Sequence, residues 1–396
     1  MARQPWRLCA ALTLALVACA ACRSDGPAPA STSLRGVKLY LNQENLQAHY
    51  PNYDTLVDEL GAVGLNALFT TVYEGRTAFY QSAVLPKRDP AIDVAKLRDS
   101  ARRKGMRFGA ISHIFFDADT LAERPDLSPV DQHGDSSFVN WQKLICPSDR
   151  DYRQYKLSIV KEVAATLRPD VISLDFMRFP TTWEIIPPAT APDHIRNFCF
   201  CDRCLTGFQR QSSVTIPPAL NTVPAKAQWI LANHRAAWVA WKTGLITSFV
   251  EEASRAVRAI DPAIRISVHV VPWGQATFDN AAVWNAGQDP AALGAHVDYL
   301  SPMIYHKLIG HPVDNVGALT AELAAKSGRT VLPSIQAAQI LTEGEVPAEE
   351  FRRSLALALQ PPSGGTLIFQ WEPLRPDAAA PPLRQHKRDI LTAASR

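Results

Sequence analysis

Several things are scarce in this 396-residue sequence, and each scarcity narrows what the chain is. The apolar run at its amino end, Leu8 to Ala18, is too short to span a bilayer, so no membrane-spanning helix is expected there. Basic excess is slight. Lysine and arginine total 41 against 38 acidic residues, a net charge of +3 with no basic run. That balance gives no nucleic-acid surface, and no nucleic-acid partner is expected. The ten histidines show no helical metal-ligand spacing, so no catalytic metal or other catalytic cofactor is expected. Cysteine is sparse as well, seven in all, and three of them fall within the first 22 residues. What is abundant is core material. At 47% hydrophobic and 20% charged, the chain can bury a large core, enough for one big α/β barrel or two ordinary domains.

The amino end reads as a processing signal. Arg3 and Arg7 precede the short apolar run, which closes in Leu16-Val-Ala-Cys19. That ending looks like a bacterial lipobox with Cys19 as the lipidated residue; Cys22 is an alternative, and plain secretion with cleavage after a small residue is another. Residues 1–22 are assigned to this lipoprotein signal peptide and 23–35, rich in Pro, Ala and Ser, to a flexible tether. The expected product is exported and held in the bacterial cell envelope by its lipid. Oligomeric state leaves no mark in the sequence.

From 36 to 396 short apolar runs alternate with amphipathic segments. Strands are expected at 37–41, 66–71, 107–113, 171–175, 265–270, 297–303, 330–336 and 366–370. Helices are expected at 53–64, 94–104, 151–167, about 225–260, 349–359 and 384–395. Eight strand-then-helix units predict an α/β fold, a single (β/α)8 TIM barrel with extended βα loops.

Strand parity supports this independently of any motif. One face is apolar: Leu39 and Leu41; Ile172 and Leu174; Ile266, Val268 and Val270; Leu367 and Phe369. The other is small or polar and ends in Tyr40, Asp175, Ser267 with His269, Ser301 with Tyr305, Ser334 with Gln336, and Gln370 with Glu372. Polar groups from six strands therefore converge at the carboxyl end, where barrel active sites lie.

Asp175 closes the stretch Val171-Ile-Ser-Leu-Asp-Phe-Met-Arg-Phe-Pro180, an apolar strand ending in a carboxylate. Two carboxylates across a pocket are what glycoside hydrolysis requires, one as nucleophile or base and one as acid with a raised pKa. Glu372 is favoured as the second carboxylate, with Glu74 next; Asp117 and Glu184 also compete. Each acid could instead be structural, paired with a cation at the rim. Tyr40, Tyr73, Tyr80, Trp141, Phe176, Trp183, Trp273, Tyr305 and Trp371 crowd the same rim, and flat apolar faces beside hydrogen-bonding groups suit pyranose rings. The expected substrate-binding set is Tyr40, His113, Arg178, His269, Trp273, Tyr305, Gln336 and Trp371.

Cys199-Phe-Cys-Asp-Arg-Cys204, with Cys146 upstream, offers four thiols in a short knuckle. The spacing suits a structural zinc site and the exported compartment permits a disulfide; both readings stay open. Either would staple two rim loops beside Asp175.

At Leu65-Asn-Ala, Thr71-Val-Tyr-Glu-Gly75, Leu174-Asp-Phe-Met-Arg-Phe-Pro180, Gly287-Gln-Asp289 and Val297-Asp-Tyr-Leu-Ser-Pro-Met-Ile-Tyr305 the chain resembles a family. It is the uncharacterised glycosyl-hydrolase-like TIM-barrel family of bacterial exported lipoproteins. The resemblance runs from Gly36 to Trp371. It implies a barrel, action on a polysaccharide and Asp175 as leading catalytic candidate. The cysteine run is also similar to the structural zinc site of certain exo-acting β-galactosidase barrels. Those carry an Asn-Glu pair where this chain has Asp175-Phe176, so their catalytic assignment does not transfer. Asp289, before Pro290, is expected to cap a helix. The reading is an envelope-anchored glycoside hydrolase taking a poly- or oligosaccharide. A non-catalytic carbohydrate-binding lipoprotein on the same fold is the rival, since fold does not guarantee activity.

Overall fold

The computed structural model describes residues 33–39, 43–89, 91–136, 141–341, 344–376 and 381–395. The signal-like segment, Cys19, Cys22, Tyr40 and Leu41 lie outside them. No helix among the described residues is long and apolar enough to cross a membrane.

The chain folds as α/β with one curled, all-parallel sheet of nine strands. They are β1 (Leu34–Leu39), β2 (Ala67–Thr71), β3 (Arg107–His113), β4 (Val171–Asp175) and β5 (Arg265–Val270), followed by β6 (Tyr299–Pro302), β7 (Thr330–Val331), β8 (Ser334–Gln336) and β9 (Gly365–Phe369). Their spatial order is β8-β9-β1-β2-β3-β4-β5-β6-β7. The two ends of that order, β7 and β8, are halves of the single strand expected at 330–336. They are divided at Pro333, which has no N–H to give a ladder. Its carbonyl instead accepts from the Leu367 N–H (3.0 Å) and the Thr366 hydroxyl (2.9 Å).

Helices cover the outer face, and their sequences explain their ends. Arg150–Leu167 starts where the Asp149 carboxylate accepts from the Tyr152 N–H, and stops at Arg168, whose φ of 44° is left-handed. Three residues later the chain enters β4 beside β3, with the Asp170 carboxylate accepting from the Phe108 N–H (2.8 Å). The expected helix 225–260 is two, Val223–Asn233 and Arg235–Ile260, broken at His234. Asp289 caps Pro290–Gly294 as expected, accepting from the N–H groups of Ala291 and Ala292.

Outward strand residues such as Ile172, Leu174, Ile266, Val268 and Ile368 join the helices in the main core. The concave face has its own apolar floor: Leu34, Phe69, Ile111, Val171, Leu332 and Leu367. Phe69 occupies the hollow that Gly36 and Gly109 leave; a Cβ at Gly109 would overlap its ring. This floor misleads a parity reading of β9. Lys38 is paired in register with Phe369, and side chains in register on parallel strands share a face. Leu367 and Phe369 therefore point inward and Ile368 outward, the reverse of the expectation.

Candidate active site

The inward side chains at the carboxyl ends of the strands surround a cavity of about 570 Å³. Its polar lining includes Lys38 from β1, His113 from β3, Asp175 from β4, Glu74, Arg178, Glu184 and Gln339 from the loops, and Gln370. Asp175 and His113 sit side by side in register. Immediately after Asp175 the chain turns through Phe176 at φ 52°, a left-handed conformation uncommon for a phenylalanine. That turn brings the Phe176 N–H onto Asp175 Oδ1 (2.7 Å). The other carboxylate oxygen lies 3.0 Å from His269 Nδ1, and His269 Nε2 is 3.0 Å from the Ser173 hydroxyl.

These contacts set the charge state of Asp175. Burial alone would raise its pKa; the hydrogen bond and charge of His269, then His113 and Lys38, outweigh that and hold it well below the usual carboxylate range. Burial pushes His113 down to about 4 and His269 down as well, against the upward pull of Asp175 on both. The contact with His269 and the ammonium of Lys38 then keep Asp175 ionised. Burial also lowers Lys38, to about 8, against the pull of Asp175. Lys38 has the same parity as Tyr40, so strand alternation alone turns it inward, although it lies inside an apolar run. Both ring nitrogens of His113 are buried without a hydrogen-bond partner, which leaves them to meet a bound ligand.

Glu184 is the second buried acid in this cavity. It sits on the loop after β4, with Oε2 accepting from the Gln142 side-chain amide (2.8 Å) and Oε1 3.6 Å from Arg178. Burial pushes its carboxyl up to about 7, with Arg178 pulling down and Asp175 pushing up. Glu74 also borders the cavity, but it is half-exposed and paired with Arg88 at 3.1 Å. Glu372 does not line it. It opens the 3-10 turn Glu372–Leu374, with Oε2 buried and unpartnered and its carboxyl pushed up to about 7 by burial. Glu184, a competitor in the sequence reading, is thus the second buried carboxyl group lining the cavity, and Glu372 is not among its lining residues.

The remaining expected residues divide. Arg178 and Tyr305 line the cavity, Arg178 with its guanidinium 5.4 Å from the Phe176 ring centre. His269 reaches it only through Asp175. Gln336, Trp273 and Trp371 are not among its lining residues. Gln336 spends its side chain on the N–H groups of Lys307 and Leu308 and the carbonyl of Ala338. Trp371 is buried with its indole N–H on the Tyr50 hydroxyl (3.1 Å), and Trp273 packs edge-on to Phe278. One wall of the cavity is aromatic: Phe116 stacks on Phe176 with centres 4.8 Å apart, and the half-exposed Trp141 meets both at 6.3 Å. The loop carrying Phe116 and Trp141 is held from below by a fully buried ion pair, Lys156 Nζ to Asp117 Oδ2 at 3.2 Å. The ammonium also sits over the ring of Tyr73.

Beside the cavity, Cys146, Cys199, Cys201 and Cys204 bring four sulfur atoms within 4.8 Å of one another. Cys146 Sγ lies 3.5, 3.8 and 3.2 Å from the other three. A disulfide needs about 2.05 Å, and all four are free thiols. Nearby the buried Lys242 ammonium, lowered to about 7 by burial, donates to Asn197 Oδ1 and to the carbonyls of Trp284 and Asn285. This fixes the end of the loop that carries Glu184.

No sequence of a curated protein matches the chain. Among solved structures it is similar to the PgaB (BpsB) glycoside hydrolase domain from Bordetella bronchiseptica, at 15% identity and a TM-score of 0.64, over 91% of this chain and 99% of that one. It is also similar to the GH42 β-galactosidase Gan42B from G. stearothermophilus (15% identity, TM-score 0.60, 93% and 57% covered). A third likeness is α-L-fucosidase isoenzyme 2 from Paenibacillus thiaminolyticus (16%, TM-score 0.59, 92% and 49%). The chain thus spans the whole of the first domain and only about half of the other two; at these identities the likeness concerns fold. A family model described as "Putative glycosyl hydrolase domain" matches residues 70–313, more than half of the chain, including β4 with Asp175. The chain belongs to that glycosyl hydrolase family.

Proposed function

We propose that the chain is a glycoside hydrolase in which Asp175 is the ionised carboxylate, nucleophile or base, and Glu184 the proton donor. The supporting observation is that one cavity holds two buried carboxyl groups displaced in opposite directions, Asp175 downward and Glu184 up to about 7. Environments that split two carboxyl pKa values define an acid and a base. Neutral His113 and charged Lys38 and Arg178 would hold sugar hydroxyls, and the Phe116–Trp141–Phe176 wall would take a ring face.

Screening the purified protein against envelope and plant polysaccharides with reducing-end detection finds the substrate. The sign of the pH dependence then follows. Glu184 works protonated, so kcat/KM falls as pH rises through about 7. Asp175 stays ionised throughout the accessible acid range, so a plateau precedes that fall. A rate that rises through pH 7 contradicts the assignment.

Three finer readings go with it. β7 and β8 are one stave: Leu332 N–H bonds Leu300 O and Leu367 N–H bonds Pro333 O. One segment thus touches both neighbours, which supports reading the curled sheet as an eight-stave (β/α)8 barrel. The four thiols would hold a structural zinc. About 2.3 Å from zinc to sulfur places tetrahedral sulfurs roughly 3.8 Å apart, close to the separations of Cys146 from Cys201 and Cys199, 3.8 and 3.5 Å, and wider than the 3.2 Å to Cys204. Bound there, zinc would supply a closed cross-link between two loops and no chemistry on substrate. Lipidation of Cys19 would anchor the enzyme in the envelope. Cys19→Ser should move it from the membrane fraction to the soluble fraction, whereas persistence in the membrane would remove Cys19 from that role.

A further inference from the structure

The wall opposite Trp141 differs in kind from the rest of the cavity. Asp175, Glu184, His113, Lys38 and Arg178 lie toward β1, β3, β4 and the loop after β4. Across from them stand Met303, Leu308, Ala338, Ile340 and Leu341, with Tyr305 and the single amide of Gln339 among them, from the loops after β6 and β8. This wall is built. The Gln336 side chain joins the two loops by accepting from the N–H groups of Lys307 and Leu308 and donating to the carbonyl of Ala338. Leu308 and Ile340 pack on a buried cluster containing Trp183, Met303 and Tyr305, so they are backed rather than free. Among the described residues five large hydrophobic side chains are exposed, and two of them, Trp141 at 38% and Leu341 at 57%, stand on this rim. Exposed apolar groups collected at a cavity mark what binds there.

A sugar pressed on the aliphatic wall would lose water from its hydroxyls and gain few partners in return. We propose that the substrate is a glycoside with an apolar alkyl aglycone. Its sugar lies over Asp175 against Trp141, and its hydrocarbon lies along Leu308, Ile340 and Leu341. This rests on the hydrolase reading for the sugar half and on the wall itself for the alkyl half.

Alkyl thioglucosides and thiogalactosides, which resist hydrolysis, test it by calorimetric titration. Each buried methylene is worth about fourfold in affinity, so Kd should fall by about that factor per carbon from ethyl to hexyl. The series should level off once the chain outgrows the wall. Leu341→Asn and Ile340→Asn should flatten the series while leaving the methyl member within about twofold. A flat wild-type series, no binding by any member, or an unchanged slope in both variants overturns the proposal. Hydrolysis of glycans alongside a flat series would leave the enzyme reading standing and remove only the aglycone. A steep series with no hydrolysis of any glycoside or glycan would do the reverse.

Discussion

Asp175→Asn should lower kcat/KM by on the order of 10³-fold or more while leaving the folded protein intact. Removing a group that bonds to or activates the reacting atom costs at least as much as removing a general acid or base, itself worth roughly 10²–10⁴. The substitution is nearly isosteric. An amide can still accept from the Phe176 N–H, and Ser173 remains 3.0 Å from His269. It removes the negative charge that Lys38 faces. Burial has already lowered Lys38 to about 8, and without Asp175 its pKa should fall further. Thermal unfolding and circular dichroism of the variant check the fold, and reducing-end release checks the rate. A variant that keeps its rate would reduce Asp175 to a structural acid ending β4. Glycan binding by both proteins without turnover by either would favour the non-catalytic rival.

Loss of the thiol cluster should have the largest effect on stability. Cys146 lies in the loop after β3, and the other three cysteines sit where the loop after β4 enters the helix Asp202–Ser212. Burial pushes the Cys199 and Cys204 thiols up, whereas hydrogen bonds from the neighbouring thiols hold Cys201 down; a bound cation would favour the thiolate form of the raised pair. The purified protein should carry about one zinc per chain. Metal binding to a site absent from the unfolded chain is folding free energy, so chelation under denaturing-threshold conditions, or Cys199→Ser, should cost on the order of several kcal/mol. Because this staple ends the loop that carries Glu184, activity should fall together with the melting temperature. Metal analysis with thermal unfolding measures both. A metal-free protein with a Cys146 disulfide in non-reducing mass spectrometry would contradict it.

The sequence was most legible where local rules and burial agree. The strands at 107–113, 171–175 and 265–270 were placed to the residue, since each is an apolar run closed by turn or helix signals. Inward parity placed Asp175 and His269 correctly on the concave face. It failed at β9, where the apolar floor of the sheet made inward Leu367 and Phe369 resemble outward residues. The same parity set Glu372 across from Asp175, whereas Glu372 is not among the residues lining the cavity. Glu184 was harder to find, because it owes its position to a loop fixed by Lys242, Gln142 and the thiols, contacts far apart in sequence. Lys156, wholly buried against Asp117, reads in sequence as the solvated face of a helix.

The pairing of Asp175 with Glu184 is tested most directly by leaving-group dependence in Glu184→Gln. On glycosides of the cleaved sugar with a poor leaving group, an alkyl alcohol, the variant should lose roughly 10²–10⁴ in kcat/KM, because departure needs a proton. With 2,4-dinitrophenolate, which leaves without one, it should stay within about tenfold of wild type, and the fall above pH 7 should vanish. Equal losses on both substrates, with the pH profile unchanged, would show that Glu184 is not the acid.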